Sequence, residues 1–128
     1  MATIPADKVD LFEKKTIAHL ATLLPNNAPH VTPVWVGYDA EANRILINTE
    51  RGRRKERNVR RNPAVGLSMV DPDNPYRFLS VTGEVDDLSE DGARDHIDEL
   101  ARRYTGSDYD NPIGTKRVIM RIRPDTVR

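Results

Sequence analysis

The sequence predicts a mainly β protein of the α+β class: six antiparallel strands curled into a small split barrel, with a few flanking helices. Three observations carry this. Strand-like runs follow one another through short turns rich in Pro, Asn, Asp and Gly. Helical stretches occur only at the start, after the third strand and before the last, too irregularly for a parallel βαβ sheet. The 128 residues, 38% of them hydrophobic, suit one domain, 1–128, around one core. Curling six strands until their edges nearly meet hides edge groups that would otherwise recruit other chains.

Pro5 to Lys14 reads as a short helix capping the sheet, with Val9, Leu11 and Phe12 to one side. Thr16 to Leu24 is apolar and β-branched, Pro25 to Ala28 supplies turn chemistry, and His30 to Tyr38 resumes an extended pattern, so the two runs form a hairpin. Pro33 removes a ladder donor and places the second run at an edge, a bulge or a ligand-facing gap. Asp39 to Asn43 turns into a third strand, Arg44 to Asn48. Asn62-Pro63 ends the basic helix that follows, and Ala64 to Val70 is the fourth strand. A proline-rich loop, Asp71 to Pro75, leads to the fifth, Arg77 to Asp86, where Gly83 marks a bulge. Ser89 caps a helix with Glu90 and Asp91 in its first turn and Ala93, Ile97, Leu100, Ala101 and Tyr104 on one face. The polar loop Thr105 to Thr115 precedes the sixth strand, Lys116 to Arg123, which Pro124 stops.

The formal net charge is zero, which argues against a protein that coats nucleic acid. The charge is nonetheless segregated. Arg51 to Arg61 holds seven cations against Glu56 alone, net +6, whereas Glu84 to Glu99 holds eight acids against Arg94, net −7. Such opposed patches can steer a ligand or pair across a subunit interface. Cysteine is absent, so neither disulfides nor thiolate chemistry enter. No window approaches a membrane span and the first residues lack a signal-peptide pattern, so the expected location is cytoplasmic, without membrane contact.

The basic segment RGRRKERNVRR, Arg51 to Arg61, is the strongest functional signal. It follows a strand through Thr49, Glu50, Arg51 and Gly52, which predicts strand, tight glycine turn, then helix. That arrangement aims free backbone N–H groups and the positive helix end at one point, with Arg53, Arg54 and Lys55 beside it, a setting for phosphate. A charge run alone is as often a solvated helix face. Here the only apolar residue inside the run is Val59, so something other than core packing has to justify the cations. Aromatic platforms for single-stranded nucleic acid are scarce. His19, His30 and His96 share no metal-ligand spacing, and no metal is expected.

The runs HLATLLPNNAPHVTPVWV, RILINTERGRRKERNVRRNPAVGLS, FLSVTGEV and RVIMRIRPDTV resemble the pyridoxamine 5'-phosphate oxidase-like, FMN-binding split barrels, and within them the F420-dependent oxidoreductase group. The most specific part is Gly52 through Pro63. The resemblance implies a homodimer with cofactor clefts between subunits. It implies that Arg53, Arg54 and Lys55 with Thr49 hold the cofactor phosphate, and that Asn58 contacts the tail or ties the helix to its loop. Thr32, Pro33, Val34 and Trp35 would line the ring, and Tyr76 and Phe78 would approach it from the partner. The chain reaches only Arg128, without the C-terminal basic segment of true pyridoxamine phosphate oxidases, so a pyridoxal substrate is not expected.

No Ser/His/Asp set, paired buried carboxylates or Cys nucleophile can be picked out, so no catalytic side chain is assigned and the cofactor is expected to supply the chemistry. The first expectation is hydride transfer from F420 to an unsaturated small-molecule substrate. FMN in the same cleft with reductase or oxidase activity is the alternative, and a non-catalytic F420 carrier is a third reading. Loops Asp71 to Pro75 and Thr105 to Thr115 are expected to shape the acceptor pocket.

Overall fold

Alternate apolar residues, buried on one face, make the strands and fix their register. The computed structural model describes residues 1–128. The strands are β1 (Ala18–Leu23), β2 (Pro29–Val34), β3 (Gly37–Asp39), β4 (Arg44–Glu50), β5 (Ala64–Asp71), β6 (Asn74–Ser89) and β7 (Arg117–Val127). Leu20, Ile45, Ile47, Leu67, Met69, Leu79, Met120 and Ile122 point inward and form one core. All seven strands join in one antiparallel sheet of order β2-β1-β5-β6-β7-β4-β3. A 3₁₀ helix, Ala6–Phe12, closes the core with Leu11 and Phe12, and Phe12 stacks on Tyr38 at 5.0 Å. No helix is long and apolar enough to cross a membrane.

The strand count is seven instead of six because the run His30 to Tyr38 is broken at Trp35–Val36. Its two pieces are the two edges of the sheet. Three peptide steps from Val34 to Gly37 span at most about 11 Å, so the sheet must curl until its edges lie side by side, split only at this step. Helix α2 (Ala93–Thr105) compensates the break: the Val36 N–H donates to the Tyr104 hydroxyl at 3.3 Å, and the Val36 carbonyl accepts from Arg103 Nη1 at 2.6 Å. Pro33 accordingly sits on an edge strand, where its missing donor costs little.

Other boundaries shift for identifiable reasons. Asp71 to Pro75 is a tight hairpin, with the Asp73 N–H on Asp71 Oδ1 at 2.8 Å, instead of a loop. Lys14 and Arg77 both bind the Asp71 carboxylate, at 2.9 and 2.7 Å, which ties the N-terminal segment to this hairpin. Ser89 does not cap α2. It belongs to β6, paired with Ile119, and Gly92 at φ 76° begins the helix. Asp86 and Asp87 lie in β6, which runs three residues beyond the expected end of the fifth strand, and reach Arg44 (2.9 Å) and Arg121 (3.7 Å) across the sheet. Strand β7 continues through Pro124 because its partner there is Gly83, at the bulge between Thr82 and Gly83.

A Cβ placed on Gly83 would stand 2.1 Å from the Arg123 carbonyl oxygen, a backbone atom with no room to yield. Gly83→Ala is expected to cost about 1 to 3 kcal/mol or more of folding free energy, measured by denaturant titration. A variant as stable as the parent would show that the two backbones can separate.

Candidate functional site

Strand β4 ends at Glu50, Gly52 turns the chain at φ 89°, and α1 (Arg54–Arg61) starts from Arg53 with no side-chain cap on its first N–H groups. The helix is seated by polar residues as much as by Val59. Glu56 is fully buried: Oε1 accepts the Gly52 N–H at 2.8 Å, and Oε2 meets Arg60 Nε at 2.6 Å and Arg51 Nη1 at 3.2 Å. Burial alone would push this carboxyl up, but the Gly52 amide and the Arg60 and Arg51 guanidinium groups outweigh it and hold it below the usual glutamate range. Asn58, also fully buried, donates to the Thr22 hydroxyl at 3.0 Å and so ties α1 to β1, while Arg54 donates to its other amide atom at 3.2 Å.

Arg51 is shared between Glu56 and Glu90 (3.0 Å), and Arg60 is held by Glu56. Arg53 and Lys55 line a cleft of about 460 Å³ at the split in the barrel. Pro33, Val34, Trp35 and Thr49 line it as well. Trp35 lies parallel to Tyr104 (5.1 Å between centroids, 6° between planes) and edge-on to Tyr109 (6.5 Å, 89°). Lys55 makes no salt bridge and no hydrogen bond, and burial first, then Arg53 and Arg117, pulls its ammonium below the ordinary lysine range. A desolvated ammonium among like charges is stabilised by any anion that enters. Uncapped N–H groups, two cations and an adjacent flat apolar wall fit a phosphate-bearing, ring-containing cofactor.

Six of the sequence-predicted residues, Pro33, Val34, Trp35, Thr49, Arg53 and Lys55, thus meet in one cleft. The other five of that set, Thr32, Arg54, Asn58, Tyr76 and Phe78, do not line it. The Thr32 hydroxyl is buried without a partner on the half-buried face of β2, and Arg54 turns toward Asn58. Tyr76 and Phe78 stand 90% and 50% exposed along β6, beyond the β5–β6 turn. Asn58 holds the helix to the barrel. The cleft also recruits Asn48 and Arg117, which carried no sequence signal, Ile97 and Leu100 from the apolar face of α2, and Tyr109 and Asn111 from the polar loop expected to shape it. The Asp71 to Pro75 turn contributes nothing to the cleft of its own chain.

The family model for pyridoxamine 5'-phosphate oxidase matches residues 4–128. The chain belongs to the pyridoxamine 5'-phosphate oxidase family. Among solved structures, an F420 reductase is 35% identical over 98% of both chains, with a TM-score of 0.84. The conserved hypothetical protein Rv2991 from Mycobacterium tuberculosis is 24% identical, over 100% of this chain and 84% of its own, with a TM-score of 0.71. HupZ of Group A Streptococcus, at 13% identity over 97% and 92% of the two chains and a TM-score of 0.67, shares the fold. Among curated proteins, none matches the sequence. The split barrel expected from the sequence is therefore that of the pyridoxamine 5'-phosphate oxidase family, and its cleft is formed where the barrel opens.

Glu56→Gln removes the charge that holds Arg51, Arg60 and the Gly52 turn together. It is expected to cost about 1.5 to 3 kcal/mol at neutral pH. Because the folded carboxyl titrates below its unfolded value, this stabilisation is complete above roughly pH 4.5 and fades as the pH falls through the folded value. Denaturant titrations across that range should show a flatter acid limb in the variant, and an identical limb would mean that Glu56 contributes no such linkage.

Proposed function

We propose that the protein is an oxidoreductase that uses coenzyme F420 to pass a hydride to an unsaturated small-molecule acceptor. The observation that carries this reading is the desolvated, unpartnered Lys55 beside Arg53 at the uncapped start of α1, lining the same cleft as the apolar Pro33–Trp35 segment. The similarity to an F420 reductase along 98% of both chains supports the choice of coenzyme. When bound, the coenzyme supplies the hydride chemistry. Arg53, Lys55 and Thr49 would grip its phosphate, and Pro33, Val34 and Trp35 would orient its ring and keep water from that side. FMN in the same cleft is the second reading, supported by the family to which the chain belongs. A carrier that binds F420 without turnover would be revealed by tight binding with no acceptor-dependent oxidation.

The same reading includes a homodimer. Ile17, 41% exposed, lines the cleft; next along the sheet stand Val70 and its cross-strand partner Phe78, 46% and 50% exposed. An apolar row thus runs from the cleft rim to the strand that carries Tyr76. A second copy laid on this row would cover it and bring its own Tyr76 and Phe78 to the cleft.

Calorimetric titration of the full chain with F420 and with FMN distinguishes the coenzymes. Lys55→Ala is expected to weaken the preferred one by about 1.5 to 3 kcal/mol, the range of a charge-assisted hydrogen bond, and an unchanged dissociation constant would remove the phosphate from this corner. Phe78→Asp is expected to convert a sedimenting dimer to monomer; a parent protein that sediments as a monomer at all concentrations would refute the shared cleft.

A further inference from the structure

Arg117 opens β7 and is 9% exposed, yet it makes no salt bridge. Its cross-strand partner Glu50 is engaged elsewhere, with Oε1 accepting the Gly114 N–H at 2.8 Å and Oε2 lying 3.9 Å from Arg53. The guanidinium lies over the Tyr109 ring at 5.1 Å and lines the cleft with Arg53 and Lys55. Burial pulls its pKa below the arginine value, and the three cations repel one another, since Lys55 is pulled down by both Arg53 and Arg117. A buried arginine without an acid, sharing a cleft with two further cations, is costly unless an anion joins it.

The orientation of Arg117 is fixed from behind. Its Nε donates to Asn48 Oδ1 at 2.8 Å. The Asn48 amide is locked that way round because its Nδ2 donates to the Ala93 carbonyl at 2.9 Å and lies 3.0 Å from His96 Nδ1. His96 can accept that proton only as a neutral ring, and burial first, then Arg103, Arg121 and Arg117, brings its pKa down to about 4. Its proton then sits on Nε2, which is buried near Gly37 with no partner. One side of a polar chain is thus anchored in α2 and the other ends on the free guanidinium face in the cleft.

We propose that Arg117 is a third cationic contact for the phosphate of the bound coenzyme, and that Asn48 and His96 are positioning residues that aim it. The inference rests on the cofactor reading above and adds a residue to it from β7, beside the end of β4 and 62 positions beyond Lys55 in the chain. A phosphate oxygen taking a second N–H from the same planar guanidinium, whose Nε is already held, is met in a single preset geometry.

Calorimetric titration of the full chain with FMN, F420 and riboflavin, which lacks the phosphate, tests it. Arg117→Gln is expected to weaken the phosphate-bearing probes by about tenfold or more and Arg117→Lys by less, with riboflavin unaffected. His96→Leu should weaken them roughly threefold to tenfold, His96→Gln should recover affinity because its amide oxygen can accept the Asn48 proton, and His96→Leu should add nothing once Arg117→Gln is present. An unchanged affinity in Arg117→Gln while Lys55→Ala still weakens binding overturns the proposal and leaves the cofactor reading standing; no effect from either overturns both. Equal losses toward riboflavin place Arg117 on the ring and refute the phosphate contact, and independent losses from His96→Leu in the Arg117→Gln background refute the positioning role.

Discussion

The arrangement of this protein depends on one buried carboxylate. Seven cations in eleven residues would not fold into a seated helix unaided, since like charges one turn apart repel. Glu56 takes up the Gly52 amide, Arg51 and Arg60 in the interior, so the glycine turn and the helix become one unit. It leaves Arg53, with only a 3.9 Å approach to Glu50, and Lys55, with no acid, on the side that faces the cleft. Two roles are divided within a single turn: the cations on Glu56 build the helix, while Arg53 and Lys55 border the cleft.

The second requirement is a gap in the barrel, and α2 supplies it. Backbone groups at Val36 leave the sheet ladder without cost because Tyr104 and Arg103 take their place. The same helix packs Ile97 and Leu100 along the cleft and, through His96 and Asn48, holds Arg117. Distant parts of the chain are thus used twice, once to open the sheet and once to furnish what lies in the opening.

The features legible in the sequence are those encoded locally. A strand, a φ-permissive glycine and a cationic helix start lie next to one another in residues 44 to 61, so the order of residues alone reveals this strand–turn–helix unit. Pro33 at an edge and Gly83 at a bulge are legible for the same reason, since each limits its own backbone. Features that depend on partners far along the chain are hidden. Ser89 looks like a helix cap until Ile119 is found beside it in the sheet, and Pro124 looks like a strand end until Gly83 is found opposite. Arg117 resembles any strand arginine, and the breaking of one extended run into two edges requires hydroxyl and guanidinium groups from residues 103 and 104.

Trp35 is the sole tryptophan of the chain, and one face of its indole is covered by Tyr104 while the ring borders the cleft. The indole emission of the protein therefore arises entirely from the wall of the opening. Any flat chromophore seated there lies within quenching range of that single fluorophore, so the unlabelled molecule carries its own optical gauge of occupancy.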